Sequence, residues 1–424
     1  MSGFTLYSFD LLTAAYLGST PVRSLTFGSQ VNSPQQASFT IDLMDSRVQA
    51  TDPIQNTQPN RTLVVVDYLG ALVWGGIVMT RRPSRSASGN QTTNTMTVQA
   101  TEPWAWFQQR VQATDYSAPP YSGINPGGMG LWTAAVWDAG LIGCQIVVDA
   151  LGYSQGSVNP YANILAGLNV LYNGAIPSGS NPQAGSVDWI NVTFPFTSCQ
   201  TVDTIFSQLG QLGLDVGFDY GVDLAYSQGP GSPPVGTVNI DYPYRGRTAA
   251  QSNLYIDASL ARSYEFPEDG TQTANQVYEI GGSGAIVVDT NPAPLDQGYP
   301  LWERTMSRAN AQSANLMQML GQVAVSDSAM YSYALVSPSI TLGLFDPNIG
   351  LTSGGFPFTV GDGAQLFMPA LAADGTTFDP RFPAGLDQAW RITGWTATVN
   401  DDGDSTLELG LAQPPYVVAI APAV

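Results

Sequence analysis

The side chains with the greatest chemical capacity in this chain are 33 carboxylates, two cysteines and 14 arginines; histidine and lysine are missing altogether. Without histidine there is no Ser-His-Asp or Cys-His couple and no imidazole to hold a metal. Paired carboxylates are the remaining route to general acid–base work, as in glycoside hydrolysis. Asp203, Asp215, Asp219 and Asp223 supply acids, but no spacing in the sequence pairs them. Asp401-Asp402-Gly403-Asp404 offers oxygens to calcium yet lacks the other ligands and the distal glutamate of an EF-hand loop; it reads as a hairpin turn. Gly281-Gly282-Ser283-Gly284 has neither the spacing and lysine of a phosphate-binding loop nor a GxGxxG order, and it reads as a flexible turn after a strand. Cys144 and Cys199 form no CxxC and cannot build a zinc site alone. Two buried thiols are the simpler expectation, with a disulfide as the alternative. These residues imply no catalytic site, no metal and no cofactor.

Charge narrows the function further. The net charge is −19, opposite in sign to what a phosphate-gripping protein needs. Solubility is the bland use of such a field; a second use is to let nucleic acid slide past without sticking. The candidates for such a repelling wall are Asp42, Asp67 and Glu408, each in or beside an expected strand. Arg81, Arg82 and Arg85 form the one basic cluster. They are candidates for ion pairs to an acidic neighbouring subunit, with a solvated turn as the alternative.

The elements that must position these groups are short strands and long turns. The chain is 44% hydrophobic but only 11% charged, well under the ~25% usual for soluble domains, and 44 Gly and 30 Pro punctuate it. No run of about 18 apolar residues predicts a membrane span, and residues 1–24 carry Asp10 within their apolar part and no basic lead-in, unlike a secretory signal. At roughly 150 residues per domain, 424 residues imply about three domains. Residues 1–112 read as all-β: an alternating strand at 38–44, a hairpin of 62–68 and 71–79 about Leu69-Gly70, a Ser/Gly/Asn loop at 84–93, a strand at 94–100 and a short helix at 102–109. Residues 113–200 are loop-rich, with a helix at 161–172 and a strand at 144–148. Residues 201–285 read as α+β: Thr201 caps a helix to 212 that Gly213 ends, strands follow at 215–220 and 235–242, and another runs over 275–280. Residues 286–424 open within a strand at 285–288, continue into a helix at 301–325 and end in strands at 339–345, 364–368, 390–399 and 406–411. The fold class is therefore mainly β with α+β insertions, with two similar tube-like β-barrel or sandwich domains flanking a mixed middle region.

That similarity lies in an internal duplication. Residues 38–45 parallel 339–346, 62–66 parallel 364–368, 73–80 parallel 392–399 and 95–100 parallel 405–410, in the same order. Trp74 and Trp395 each neighbour a glycine that permits a bulge or a close backbone approach, and core filling is the simple role of both rings.

The hairpin ending Ala71-Leu72-Val73-Trp74-Gly75-Gly76-Ile77-Val78, the strand leading to Trp104, the segment Asn275-Gln276-Val277-Tyr278-Glu279-Ile280-Gly281-Gly282, and Phe358-Thr359-Val360-Gly361-Asp362-Gly363-Ala364 followed by Trp390-Arg391-Ile392-Thr393-Gly394 resemble the baseplate hub and tail-associated hub proteins of tailed phages, over nearly the whole chain. The resemblance implies a non-enzymatic virion protein at the tail tip. Two tube-like β domains per chain, three chains per ring, would give a homotrimer of pseudo-sixfold symmetry around the DNA exit channel. Its implied partners are a distal tail ring or tail tube protein, other tail tip or fibre proteins and the tape measure protein; the genome passes without specific binding. A carbohydrate-binding surface protein and a carboxylate-based glycosidase are the alternatives, separated by ring assembly and by hydrolysis of cell-wall polymers.

Overall fold

The computed structural model describes residues 3–88, 91–111, 137–151, 168–173, 189–190, 199–210, 218–241, 244–271, 273–281, 284–308, 317–318, 321–322, 324–325, 335–400 and 404–413. It is mainly β, built on large antiparallel sheets with few helices. Seven strands come first: β1 (Phe4–Asp10), β2 (Tyr16–Thr20), β3 (Ser24–Gln30), β4 (Gln36–Asp42), β5 (Thr62–Tyr68), β6 (Ala71–Ser88) and β7 (Gln91–Thr101). Short helices α1 (Ser46–Gln49) and α2 (Ala105–Gln109) follow β4 and β7. Period-two patterning sets their faces: β4 buries Ala37, Phe39 and Ile41 and turns Ser38, Thr40 and Asp42 the other way. Fully burying a phenylalanine such as Phe39 contributes roughly 1.5–3 kcal/mol. At the β5–β6 turn Leu69 and Gly70 have φ of 51° and 96°, the positive pair that a two-residue hairpin needs, and the Asp67 carboxylate accepts the Gly70 N–H at 2.9 Å. Of the expected loop at 84–93, residues 84–88 and 91–93 instead belong to a long antiparallel pair; 89–90 lie outside the described residues. Cross-strand hydroxyl pairs hold it, Ser84 with Thr95 at 3.2 Å and Ser86 with Thr93 at 2.7 Å, so the polar composition that suggested a loop serves a ladder.

The middle of the chain contributes β8 (Trp137–Asp138), α3 (Ala139–Leu151), β9 (Asn169–Tyr172), β10 (Trp189–Ile190), α4 (Val202–Gly210), β11 (Asp219–Tyr226) and β12 (Pro234–Asp241). Two expectations reverse here. Residues 144–148 are helical, because Cys144, Ile146 and Val147 pack into a core shared with α4. Residues 169–172, expected at the end of a helix, pair parallel to β12; 161–167 lie outside the described residues, as do Gly213 and Asp215. Thr201 does cap α4, its hydroxyl accepting the Thr204 N–H at 3.2 Å. Trp104, Phe206 and Tyr220 close this second core with ring centroids 4.5–5.2 Å apart.

The remainder runs α5 (Ala249–Ser252), β13 (Tyr255–Asp257), β14 (Ser263–Glu265), β15 (Glu268–Asp269), β16 (Gln276–Gly281), β17 (Ile286–Thr290), α6 (Pro292–Asp296), β18 (Glu303–Arg308), β19 (Leu335–Val336), β20 (Ser339–Gly343), β21 (Gly363–Met368), β22 (Leu386–Asn400) and β23 (Thr406–Ala412). The helix expected over 301–325 begins as a strand: β18 lies parallel to β16, with Arg304 and Met306 turned inward and Glu303, Thr305 and Ser307 outward. Residues 317–318, 321–322 and 324 are helical; 309–316 are outside the described residues.

Among the described residues thirteen strands form one sheet, whose main path is β14-β20-β23-β22-β3-β4-β7-β6-β5-β1-β2. Within it the order β4-β7-β6-β5 is repeated as β20-β23-β22-β21. The registers agree pair by pair. Phe39 faces Val98 as Ile340 faces Leu409. Arg81 faces Val98 as Trp395 faces Leu409. Leu63 faces Ile77 as Gly363 faces Arg391. A bulge falls at the same place in both, between Val78 and Thr80 and between Ile392 and Gly394. The duplication expected from sequence is therefore present, with three corrections. Residue 64 rather than 62 corresponds to 364. Residue 95 corresponds to 406, one place from the expected match, and 78 rather than 73 corresponds to 392. Trp74 and Trp395 are consequently not equivalent: the counterpart of Trp395 is Arg81, and Trp74 follows a different bulge, at Val73 in the β5–β6 pairing.

The repeat extends to strands that no sequence match suggested. β14 pairs with β20 in the register of β3 with β4: Tyr264 faces Ile340 as Leu25 faces Phe39. Arg262 donates its N–H to the Thr341 carbonyl and Arg23 to that of Thr40, both at 2.8 Å. Ser263-Tyr264-Glu265-Phe266 thus corresponds to Ser24-Leu25-Thr26-Phe27.

Candidate functional site

Two features concentrate the chain's chemistry: a buried polar junction and a hydroxyl-rich sheet face. The junction is centred on Asp219, at the start of β11. Its carboxylate accepts the Asn32 side-chain amide at 2.9 Å, the Arg245 backbone N–H at 2.7 Å and the Arg391 guanidinium. Asn32, itself at φ 58°, accepts the Tyr220 N–H at 2.7 Å. Arg391 on β22 also donates to the carbonyls of Gly361 at 3.1 Å and Arg245 at 3.2 Å, and lies 5.5 Å from the Tyr244 ring. The Arg245 guanidinium pairs with Asp223 and lies 4.0 Å from Asp241. Asn239 and Asn173 donate to those two carboxylates at 2.7 and 2.5 Å. Burial pushes the Asp241 carboxyl above its usual range, against the Asn173 bond and the Arg245 charge. The network ties a loop of the N-terminal β unit (Asn32), the inserted α+β layer (β11, β12) and the C-terminal unit (β22) into one body.

Beside it lies a cavity of about 400 Å³ lined by Trp74, Glu102, Asp223, Arg245, Phe356 and Trp395. Glu102 accepts the Gln35 N–H at 2.8 Å. Burial pushes its carboxyl up to about 7, against the Gln35 and Ser29 hydrogen bonds and the Arg245 charge.

The second feature is the face of the large sheet opposite its core. Cross-strand pairs on it read Ser38 with Gln99, Thr40 with Thr97, Thr341 with Glu408 and Thr398 with Thr406, all outside the hydrophobic core. It is continuous through both units because β3 joins β4 to β22.

The sequence-derived candidates distribute unevenly over these features. Asp42 and Glu408 lie on the hydroxyl face, and Asp42 is paired with Arg23 at 3.3 Å. Asp67 is buried away from it, accepting the Tyr226 hydroxyl at 2.8 Å and the Gly70 N–H, so its charge anchors β11 to the β5–β6 turn. Arg82 faces Thr97 on the hydroxyl side. Arg81 and Arg85 face Val98 and Asn94 on the opposite side, and Arg81 donates to the Ile54 carbonyl. The acids weighed for hydrolysis are engaged: Asp203 accepts the Trp104 indole N–H at 2.6 Å, and Asp219 and Asp223 belong to the junction. Asp404 pairs with Arg262, while 401–403 lie outside the described residues. Cys144 is buried and Cys199 exposed, with no bond between them. Sequence reasoning missed the junction, although the Asp219-x3-Asp223 spacing on a strand, which puts both acids on one face, was a usable signal.

No family model matches the chain, and no curated protein matches it. Solved structures do. The 43 kDa tail protein of prophage MuSo2 from Shewanella oneidensis is 11% identical, with a TM-score of 0.56 over 97% of this chain and 98% of that one. A tail protein from Neisseria meningitidis MC58 aligns at 11% identity and TM-score 0.49 over 97% and 96% of the two chains. Prophage tail protein gp18 from Listeria monocytogenes EGD-e aligns at 12% and 0.48 over 98% and 96%. At such identity the first likeness establishes a shared fold along the full length of both chains.

Proposed function

We propose that this chain is a structural protein of a phage-type tail, the hub at its distal end, in which three copies form a pseudo-sixfold ring around the DNA exit channel. The observation that carries the reading is the repeated four-strand unit, matched in register and in bulge position and held in one continuous sheet. Two similar units per chain turn a threefold assembly into six similar positions. The fold shared with the MuSo2 tail protein supports the tail assignment. In this reading the hydroxyl face lines the channel, where mostly short neutral side chains, with Arg82 the cation among the described strand residues named on it, give DNA little to bind, and the ring docks onto a distal tail ring or tail tube protein. Other tail tip or fibre proteins and the tape measure protein complete its surroundings. Light scattering and cryo-EM of the purified chain at high concentration test it: threefold particles with a central channel are expected, and a rigid isologous dimer overturns it.

A further inference from the structure

Within the chain the two units join by one strand edge. Residues 394–400 of β22, beyond the bulge, pair with residues 30–24 of β3 in seven successive antiparallel pairs. The duplication defines the counterpart of each side. The counterpart of the β22 edge is residues 80–86 of β6, which pair with β7 on one side and with no described strand on the other. The counterpart of β3 is residues 263–269, which pair with 341–335 in one register through β14 and β15 and have no described strand on their outer side. One half of each joint is thus used inside the chain, and the other half lies open at opposite ends of the repeat.

Carrying the internal register across, with no adjustable shift, sets Arg81 opposite Glu268, Ser84 opposite Glu265 and Arg85 opposite Tyr264, with Asp269 beside Thr80. The open basic edge thereby meets the open acidic edge, and Arg81 falls directly across from a carboxylate. Opposite charges placed so contribute roughly 0.2–1 kcal/mol. We infer that the edge of β6 at residues 80–86 docks on the outer edge of residues 263–269 of a second copy of this chain, head to tail, so that each copy presents one edge and receives the other. This rests on the ring reading above and specifies its contact.

The chemistry of the two edges sets the character of that joint. Inside the chain Gly28 allows a close approach: a Cβ there would meet the Trp395 carbonyl at 2.2 Å. Its counterpart is Pro267, and the counterpart of Ala397 is Pro83. Each proline removes one ladder donor, and the Phe266 carbonyl already accepts from Arg381. The joint between copies therefore has fewer backbone bonds than the joint within a chain, and it depends more on side-chain charge. Prolines and charges on an open edge also hinder pairing with unrelated strands.

Two measurements on the full chain with Cys199→Ser test this. Ser84→Cys and Glu265→Cys chains, mixed and oxidised, should give a disulfide-linked heterodimer; neither alone should cross-link to itself, and one chain carrying both should close into a covalent ring. A Ser86→Cys/Glu265→Cys pair, two residues out of register, should cross-link at least tenfold less. In parallel, Arg81→Glu or Glu268→Arg should weaken assembly at least tenfold at 0.05 M salt, and the double reversal should restore it to within threefold; because each change also removes a contact within the monomer, Arg81 with the Ile54 carbonyl and Glu268 with the Arg381 charge, only the restored part reports the edge pairing. Threefold particles that form without the 84–265 cross-link and ignore both charge reversals overturn the edge pairing and leave the ring reading standing. Absence of both particles and cross-link overturns both.

Discussion

Arg391→Ala removes the cation at the centre of the junction and isolates what that junction contributes. Asp219, whose side chain is 8% exposed, loses its charged partner but keeps the Asn32 amide and the Arg245 N–H. Two carbonyls, those of Gly361 and Arg245, lose a donor, and the Tyr244 ring loses its cation. Removing one partner of a buried ion pair costs about 3–5 kcal/mol. The two donors left on Asp219 place the charge term near the lower end; the two carbonyl bonds add roughly 0.5–1.5 kcal/mol each. The expected loss is therefore about 4–6 kcal/mol. With an unfolding entropy of ~2.1 cal/mol/K per residue, the 424 residues give about 0.9 kcal/mol/K, so the melting point should fall by about 4–7 °C if the chain melts as one unit. Calorimetry and urea titration measure this, and limited proteolysis should show new cleavage on both sides of the junction. The double variant Arg391→Met/Asp219→Asn, which removes both charges but keeps an acceptor on residue 219, should recover part of the loss. A loss below 1 kcal/mol for Arg391→Ala would refute the claim that this network joins the units.

Gly28→Ala should destabilise by more than about 2 kcal/mol through overpacking of backbone against the Trp395 carbonyl; a denaturation midpoint within error of the parent contradicts the tight β3–β22 joint. Glu102 gives a pH signature. Its folded carboxyl titrates at about 7 against 4.5 ordinarily, so its contribution is fully present below the unfolded value and is lost as pH rises through 7, about 3 kcal/mol at most. Glu102→Gln should flatten the decline in stability between pH 5 and 8, and an unchanged profile counts against it. Asp362 has the opposite sign. Burial acts to raise it, but the Arg247 side chain at 2.5 Å, the Arg247 N–H at 2.7 Å and the Thr359 N–H at 3.1 Å outweigh burial and hold it below the usual range. Its contribution is present at neutral pH and lost as pH falls through that lowered value; Asp362→Asn should remove the corresponding acid-limb slope. Incubation with peptidoglycan and generic glycans should release no product, and turnover abolished by a single acid-to-amide change would overturn the structural reading.

The strand-and-turn grammar was legible because period-two alternation reports one buried face directly, as in β4 and β20. Register was less legible. An alternating strand matches another equally well after a shift of two, and the bulges at Val78/Thr80 and Ile392/Gly394 that fix the true alignment leave no composition signal. The helix–strand reversals share a cause. Residues 144–148 carry strand-favouring Ile and Val but pack as a helix on α4, whereas 303–308 carry helix-compatible Glu, Arg and Met but pair with β16; tertiary packing overrode local preference in both. Of the junction only the Asp219-x3-Asp223 spacing was legible; Asn32, Arg245 and Arg391 join it from elsewhere in the chain, and nothing in a single sequence couples them.

Part of the chain's acidity has a local origin. Aspartates sit at turns and accept nearby backbone N–H groups: Asp10 from Leu12 and Thr13, Asp45 from Arg47, Asp257 from Ser259, Asp269 from Thr271, Asp346 from Asn348 and Ile349, Asp374 from Thr376 and Asp379 from Arg381. A sheet of many short strands needs many such turns, and Asp is a residue whose side chain closes them. The hydrogen bonds favour the ionised form, and Asp45, Asp269 and Asp374 are held below the usual range by their side-chain and backbone donors. These seven of the 33 acids are thus a by-product of how the strands are connected. On that face of the large sheet the described acids include Asp42, Asp257, Glu265, Asp387 and Glu408, set against Arg82 and with Asp42 already paired to Arg23. If that face lines the channel, DNA would meet threonine and serine with only scattered charges of both signs, and sliding would follow from the scarcity of cations on the wall rather than from strong repulsion. Glu408→Gln should then leave ejection kinetics nearly unchanged, whereas Thr40→Arg/Thr396→Arg, which adds two cations per chain, should slow ejection, most at low salt. Equal and large effects from both variants would show that repulsion, and not neutrality, governs passage.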